Sequence, residues 1–137
     1  MADMLRLSEA TALGLHAMAI VAGQERAISV VEAAKQLDAS AAHLSKVMQQ
    51  LAKSGFLQAK RGPNGGYTLA RPASEITLLA VYEALEGSLR LDGCLFAAPV
   101  CQRAHCILGG LVERVRTQIH EHFEATTLAD LAERQGR

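Results

Sequence analysis

Large aromatic residues are scarce: the chain has no tryptophan, two tyrosines and three phenylalanines, so its interior cannot be organised around ring systems. Half of the residues are nevertheless apolar. Leu, Val, Ile and Ala must therefore fill the core, and segments rich in Ala and Leu favour helix. Long apolar runs are missing as well. None approaches the roughly 18 residues that span a bilayer, and the start lacks a basic segment followed by an apolar stretch and a small-residue cleavage site. These absences lead us to expect a soluble, cytoplasmic protein. Common catalytic signatures are also lacking, with no serine nucleophile elbow, phosphate-binding loop or HExxH. His105 stands beside Cys106, but adjacent residues on a helix point about 100° apart, a poor geometry for a Cys-His nucleophile. No enzymatic activity is expected.

Net charge is absent overall, yet it is unevenly distributed. Residues 1–25 carry Arg6 against three acids, and residues 72–137 carry six bases against nine acids. Between them, residues 26–71 hold seven bases against Glu32 and Asp38, a local excess of +5. A polyanion would meet this basic island first.

With 137 residues the chain is long enough for one domain with its own core. Residues 8–22 place Leu13, Ala17, Ile20 and Val21 on one broad helical face, with Ser8 as cap and Gly23 as stop. Ser29 can cap a short second helix, VVEAAKQL, and a break follows at Asp38 to Ser40. A third helix is expected from about Ala41 to Ser54, capped by Ser40 and stopped by Gly55. Its Leu44, Val47, Met48 and Leu51 recur at three- and four-residue intervals and must face the core. That requirement turns His43, Lys46, Gln49, Gln50 and Lys53 to the opposite and flanking faces. Two helices joined by such a short break, the second polar and basic outside, form the helix-turn-helix pattern.

The next segment, FLQAKRGPNGGYTLA, alternates around a Gly-Pro-Asn-Gly-Gly centre and reads as a β-hairpin. Its tip carries Arg61, Pro63 and Asn64, with Lys60 just before it. Helix-turn-helix followed by a basic hairpin is a winged helix, a mainly α fold with a small β-hairpin. Further on, Thr77 can cap a helix over Leu78 to Leu85 that ends at Gly87. A loop from about Ser88 to Gln102 follows, then a long helix from about Ala104 to Glu124 and a short one capped by Thr127. The long helix carries the stripe Ile107, Leu108, Leu111, Val112, Val115, Ile119 and Phe123. This stripe is longer than a compact winged-helix core needs, and pairing with a second copy about a two-fold axis would cover it. The expected organisation is a winged-helix unit over residues 1–87, with its wing at about 56–70, a cysteine-bearing loop at 88–103, and a dimerisation helix with a short terminal helix at 104–137.

Lys46, Lys53, Lys60 and Arg61 are candidate phosphate contacts. His43, Gln49 and Gln50 can reach base edges, and Gln suits adenine through its paired donor and acceptor. Pro63, Asn64, Gly65 and Gly66 form the tip that can approach a minor groove, although a tight turn alone would require the same glycines. Ser40 is a helix cap that can also donate to a phosphate. Cys94, Cys101 and Cys106 fall within thirteen residues. Three soft thiolates so close together fit an iron–sulfur cluster, a zinc site completed by His105 or His16, or a thiol redox switch. They also fit small buried apolar residues in a chance group. Placing Cys106 at the start of the long helix would let the helix dipole favour its thiolate. A protein-interaction or metal-storage module is the non-regulatory alternative.

The segments LRLSEATALGLHAM, HLSKVMQQLAKSGFLQAKRGPNGGYTLARPASEITL and TTLADL, with the clustered cysteines, resemble the small bacterial winged-helix regulators that include the iron–sulfur cluster assembly regulator, the nitric-oxide-sensing repressor and the iron-response regulator. The resemblance implies a homodimer with crossed long helices, third-helix residues in the major groove, a wing in the minor groove and a palindromic operator on double-stranded DNA. It also implies a [2Fe–2S] or [4Fe–4S] cluster held by Cys94, Cys101 and Cys106. The cysteine gaps here, six and four residues, depart from the even spacing of the assembly regulator. Gly109 stands where that regulator has a histidine ligand, and Ala12 stands where the nitric-oxide repressor has an acidic ligand from its partner. The remaining candidates for a fourth ligand are His105 and, from the partner subunit, Glu9 or His16. His16 is preferred because it lies one helical turn beyond Ala12.

Overall fold

The structure, a computed structural model, describes residues 7–89 and 106–135. In order it contains α1 (Glu9–Ala22), α2 (Val30–Leu37), α3 (Ala41–Lys53), β1 (Leu57–Lys60), β2 (Gly66–Leu69), a 3-10 turn at Ala73–Glu75, α4 (Leu78–Glu86), α5 (Leu111–Ala125) and α6 (Leu128–Gln135). The mainly α architecture with a small hairpin is the one the sequence predicts.

Five helices start on one device. The hydroxyls of Ser8, Ser29, Ser40, Thr77 and Thr127 accept from the backbone N–H of Thr11, Glu32, His43, Ala80 and Asp130 respectively. Each satisfies a donor that the helix cannot pair internally, a gain of about 1 kcal/mol. The turn between α2 and α3 is equally well defined. Asp38 adopts the left-handed conformation at φ 50°, and the Ala39 N–H donates to the Ala34 carbonyl at 2.9 Å. This closure stops α2 and redirects the chain within three residues, so that α3 crosses it as a second helix-turn-helix member.

The core sits where α1, α3 and α4 meet. Met18, Leu44, Met48, Leu51 and Val81 are fully buried there, joined by Ile28, Ile76 and Leu128. The apolar stripe expected for α3 is thus the buried one. Strands β1 and β2 pair antiparallel from Leu57 opposite Leu69 to Lys60 opposite Gly66. A third segment joins them: Ile28 and Tyr67 exchange two backbone hydrogen bonds of 2.9 and 2.8 Å. The wing is therefore tied to the chain just before α2, a contact that local periodicity does not reveal.

The last helices close the domain from the other side. The Leu78 N–H donates to the Thr126 carbonyl and the Leu128 N–H to the Ile76 carbonyl, each at 2.9 Å. Tyr82 of α4 packs against Phe123 of α5 with ring centroids 5.7 Å apart. The start of the long helix differs from expectation. Residues 106–110 form turns, with Gly109 at φ 57° and Gly110 at φ 83°, and α5 begins at Leu111 instead of near Ala104. Two adjacent glycines lose backbone entropy in a helix and readily take the left-handed conformation that interrupts one. Cys106 accordingly lies before α5 and not in its first turn.

At the start of α6, the Thr127 N–H donates to Asp130 Oδ2 at 2.9 Å while the Asp130 N–H donates to Thr127 Oγ1 at 3.3 Å. The Thr127 backbone and hydroxyl hold the Asp130 carboxyl below its ordinary value near 3.8. This cap is fully present above pH 3.8 and is lost as the pH falls through the lowered folded-state value. Protection of the α6 amides, with the intrinsic pH dependence of exchange divided out, is expected to fall on acidification below about pH 4. Asp130→Asn should remove that pH dependence.

Candidate nucleic-acid interface and cysteine site

Because Leu44, Val47, Met48 and Leu51 point inward, α3 presents Lys46, Gln49, Gln50 and Lys53 to solvent. These four line one shallow depression. His43 is half-buried at the edge of the same face. Gln49 Nε2 donates to Ser45 Oγ at 3.1 Å, so this amide is already oriented by the helix that carries it. Ser40 caps α3 and is exposed.

Beyond α3, the hairpin carries Lys60, Arg61, Pro63 and Asn64 at an exposed tip. Gly65 and Gly66 are half-buried beneath it, and both have close backbone neighbours. A Cβ on Gly65 would lie 2.4 Å from the Lys60 carbonyl oxygen. On Gly66, at φ +145°, it would lie 2.4 Å from the Ile28 carbonyl oxygen. The glycine pair thus seats the tip on the rest of the domain, as a tight turn requires.

Two arginines of the basic island escaped selection from sequence. Arg71 lies over the Phe56 ring, 5.3 Å from its centroid, beside the end of α3. Arg26 holds Glu32 through both guanidinium NH groups, with NH1 to Oε2 at 3.0 Å. That pairing keeps the Glu32 carboxyl below its usual range and neutralises one of the two acids in the island. Neither partner choice follows from helical or strand periodicity.

Of the cysteine-site candidates, Cys94, Cys101 and His105 lie outside the described residues. Cys106 is half-buried in the turn before α5. Among the described residues no group of three His, Cys, Asp or Glu side chains comes together to hold a metal. Glu9 and His16 are both exposed on α1, two turns apart and so on one side of it. His16 Nδ1 lies 2.6 Å from the Ala12 carbonyl oxygen. A carbonyl only accepts, so Nδ1 carries a proton in this bond, and Nε2 is the ring nitrogen left for a metal when the imidazole is neutral.

No helix among the described residues is long and apolar enough to cross a membrane. The sequence matches the Rrf2 family, described as an iron-dependent transcriptional regulator, over residues 7–134. It is 36% identical over 117 residues to the transcriptional regulator NsrR of Geobacillus kaustophilus, covering 80% of this chain and 76% of that one. It is 31% identical over 113 residues to the regulator IscR of Cereibacter sphaeroides, covering 80% and 73%. Among solved structures, CymR, the global cysteine regulator of B. subtilis, superposes with a TM-score of 0.79 at 27% identity, covering 94% of this chain and 97% of that one. T. potens IscR superposes with a TM-score of 0.74 at 28% identity, covering 96% and 88%. The helix-turn-helix, its hairpin and the helices that follow are thus arranged as in these regulators, and the chain belongs to the Rrf2 family of transcriptional regulators.

Proposed function

We propose that the protein is a homodimeric DNA-binding transcriptional regulator that reads a palindromic operator with α3 and the wing. The observation that carries this reading is the outward basic and amide-rich face of α3 beside a glycine-seated basic hairpin. In this reading Lys46, Lys53, Lys60 and Arg61 hold phosphates, with Ser40 adding a hydroxyl. His43, Gln49 and Gln50 face base edges in the major groove, and Pro63 and Asn64 enter the minor groove above Gly65 and Gly66. Dimerisation is supported by the apolar residues that the described protomer leaves uncovered. Ile107, in the turn before α5, and Leu111, at its start, are exposed at 90% and 42%, and Val115 and Ile119 are half-buried further along α5. Sedimentation at micromolar concentration is expected to give a dimer; a monomer would refute the pairing of α5.

The same proposal gives the protein an iron–sulfur cluster bound by Cys94, Cys101 and Cys106, with the partner subunit's His16 as fourth ligand. The donor set fits: three thiolates are soft ligands, and His16, with Nδ1 engaged at the Ala12 carbonyl, leaves Nε2 for a metal. Such a cluster supplies chemistry that responds to nitric oxide, redox state or iron supply. The protein's part is to hold one ligand on α1, which packs directly on α3. A second reading, a thiol- or zinc-based regulator without a cluster, is favoured by the likeness to the cysteine regulator CymR. Anaerobic purification separates the two. Equal iron and sulfide with broad visible absorption, reduced in His16→Ala, is expected. Colourless protein with stoichiometric zinc, or with three titratable thiols and no metal, would overturn the cluster.

A further inference from the structure

We propose that Ser45 and Gln49 act as a preset pair on α3 that reads adenine, with Ser45 positioning the Gln49 amide. The inference deepens the reading of α3 as the helix that enters the major groove, and it rests on that reading. Residues 45 and 49 are one helical turn apart, and the Gln49 Nε2 donates to the Ser45 hydroxyl at 3.1 Å. Gln49 is exposed and lines the depression shared with Lys46, Gln50 and Lys53.

A carboxamide has two N–H donors and one oxygen. The N–H on the Cγ side points back along the side chain, and it is the one suited to a hydroxyl one turn earlier. Once it is spent there, the outward edge of Gln49 displays one donor beside one acceptor. In the major groove adenine presents the complement, an N6 donor beside the N7 acceptor. Guanine presents two acceptors, so its O6 would face the Gln49 Oε1. Cytosine offers only a donor, and thymine an acceptor beside a methyl group. Fixing the amide in the free protein also removes part of the ordering cost that a long flexible side chain would meet on binding.

The test is selection from a library of fully randomised duplexes on the intact protein, read as base frequency at each position. Wild type is expected to enrich adenine about tenfold over the next base at one position of each half-site. Ser45→Ala should cut this to about threefold or less, whereas Ser45→Thr, which keeps the hydroxyl, should retain it. Gln49→Glu, which can only accept, should move the preference at that position from adenine to cytosine. Far-ultraviolet circular dichroism on each variant checks that α3 still folds. Unchanged adenine enrichment in Ser45→Ala, or persistence of adenine in Gln49→Glu, would overturn the pair. A wild-type protein that binds duplexes with no adenine preference would overturn the pair and leave DNA binding standing. If wild type retains no duplex at all, the interface reading falls together with the pair.

Discussion

Gly66→Ala is expected to destabilise the protein by about 2–4 kcal/mol and to weaken DNA binding at least tenfold, roughly. Two effects combine at this position. The backbone stands at φ +145°, where L side chains are strained, and the added Cβ would lie 2.4 Å from the Ile28 carbonyl oxygen and 2.5 Å from its carbon. Those neighbours are backbone atoms and have no rotamer to change. The strand must therefore move away, opening the two hydrogen bonds between Ile28 and Tyr67 and unseating the hairpin. Urea unfolding followed by circular dichroism gives the stability loss, and binding to a mixed-sequence duplex gives the second effect. Gly62→Ala is the internal comparison. It shares a positive φ of +111° but meets nothing within 4 Å, so it should lose about 1 kcal/mol through strain alone. A Gly66→Ala protein with the wild-type urea midpoint would refute the seating of the wing on Ile28.

Removing Lys46 and Arg61 together should have the larger effect on binding and almost none on folding. Both side chains are exposed, and surface substitutions of this kind change stability by about 0.5 kcal/mol or less. Hydrogen bonds to a charged group contribute about 1.5–3 kcal/mol each, so the Lys46→Ala/Arg61→Ala protein should bind a duplex at least a hundredfold more weakly, roughly. The mechanism is counterion release, and it leaves a distinct mark: a dimer loses two copies of each charge, so the slope of log affinity against log salt should fall by about 4 in magnitude. Arg134→Ala on α6 removes an exposed charge outside the proposed interface and should leave the slope unchanged. A double variant with the wild-type salt slope would mean that these side chains do not touch phosphate.

What the sequence made legible was whatever depends on near neighbours. The five hydroxyl caps, the inward stripe of α3, the break at Asp38 and the glycine-centred hairpin all follow from residues within a few positions of one another. The features it hid are set by distant parts of the chain or by competition between local rules. Ile28 pairs with Tyr67, and no periodicity in either segment announces the other. The apolar spacing of Ile107 and Leu108 argues for helix, yet the left-handed Gly109 and Gly110 win, and α5 starts late. Arg116 of α5 is 1% exposed, although a charged helix residue would ordinarily face solvent. At the candidate interface, the side chains on α3 could be chosen from their position opposite the stripe. The bond from Gln49 to Ser45 needed the rotamers themselves, as did the placement of Arg71 over Phe56.

Adding a mixed-sequence duplex to the uniformly labelled protein and following its backbone amide resonances tests the central claim most directly. Shifts and broadening should concentrate in α3 from Ser40 to Lys53 and at the hairpin tip from Lys60 to Asn64, with α6 unaffected. Perturbations confined to α5 and α6, with α3 and the tip unchanged, would contradict the account.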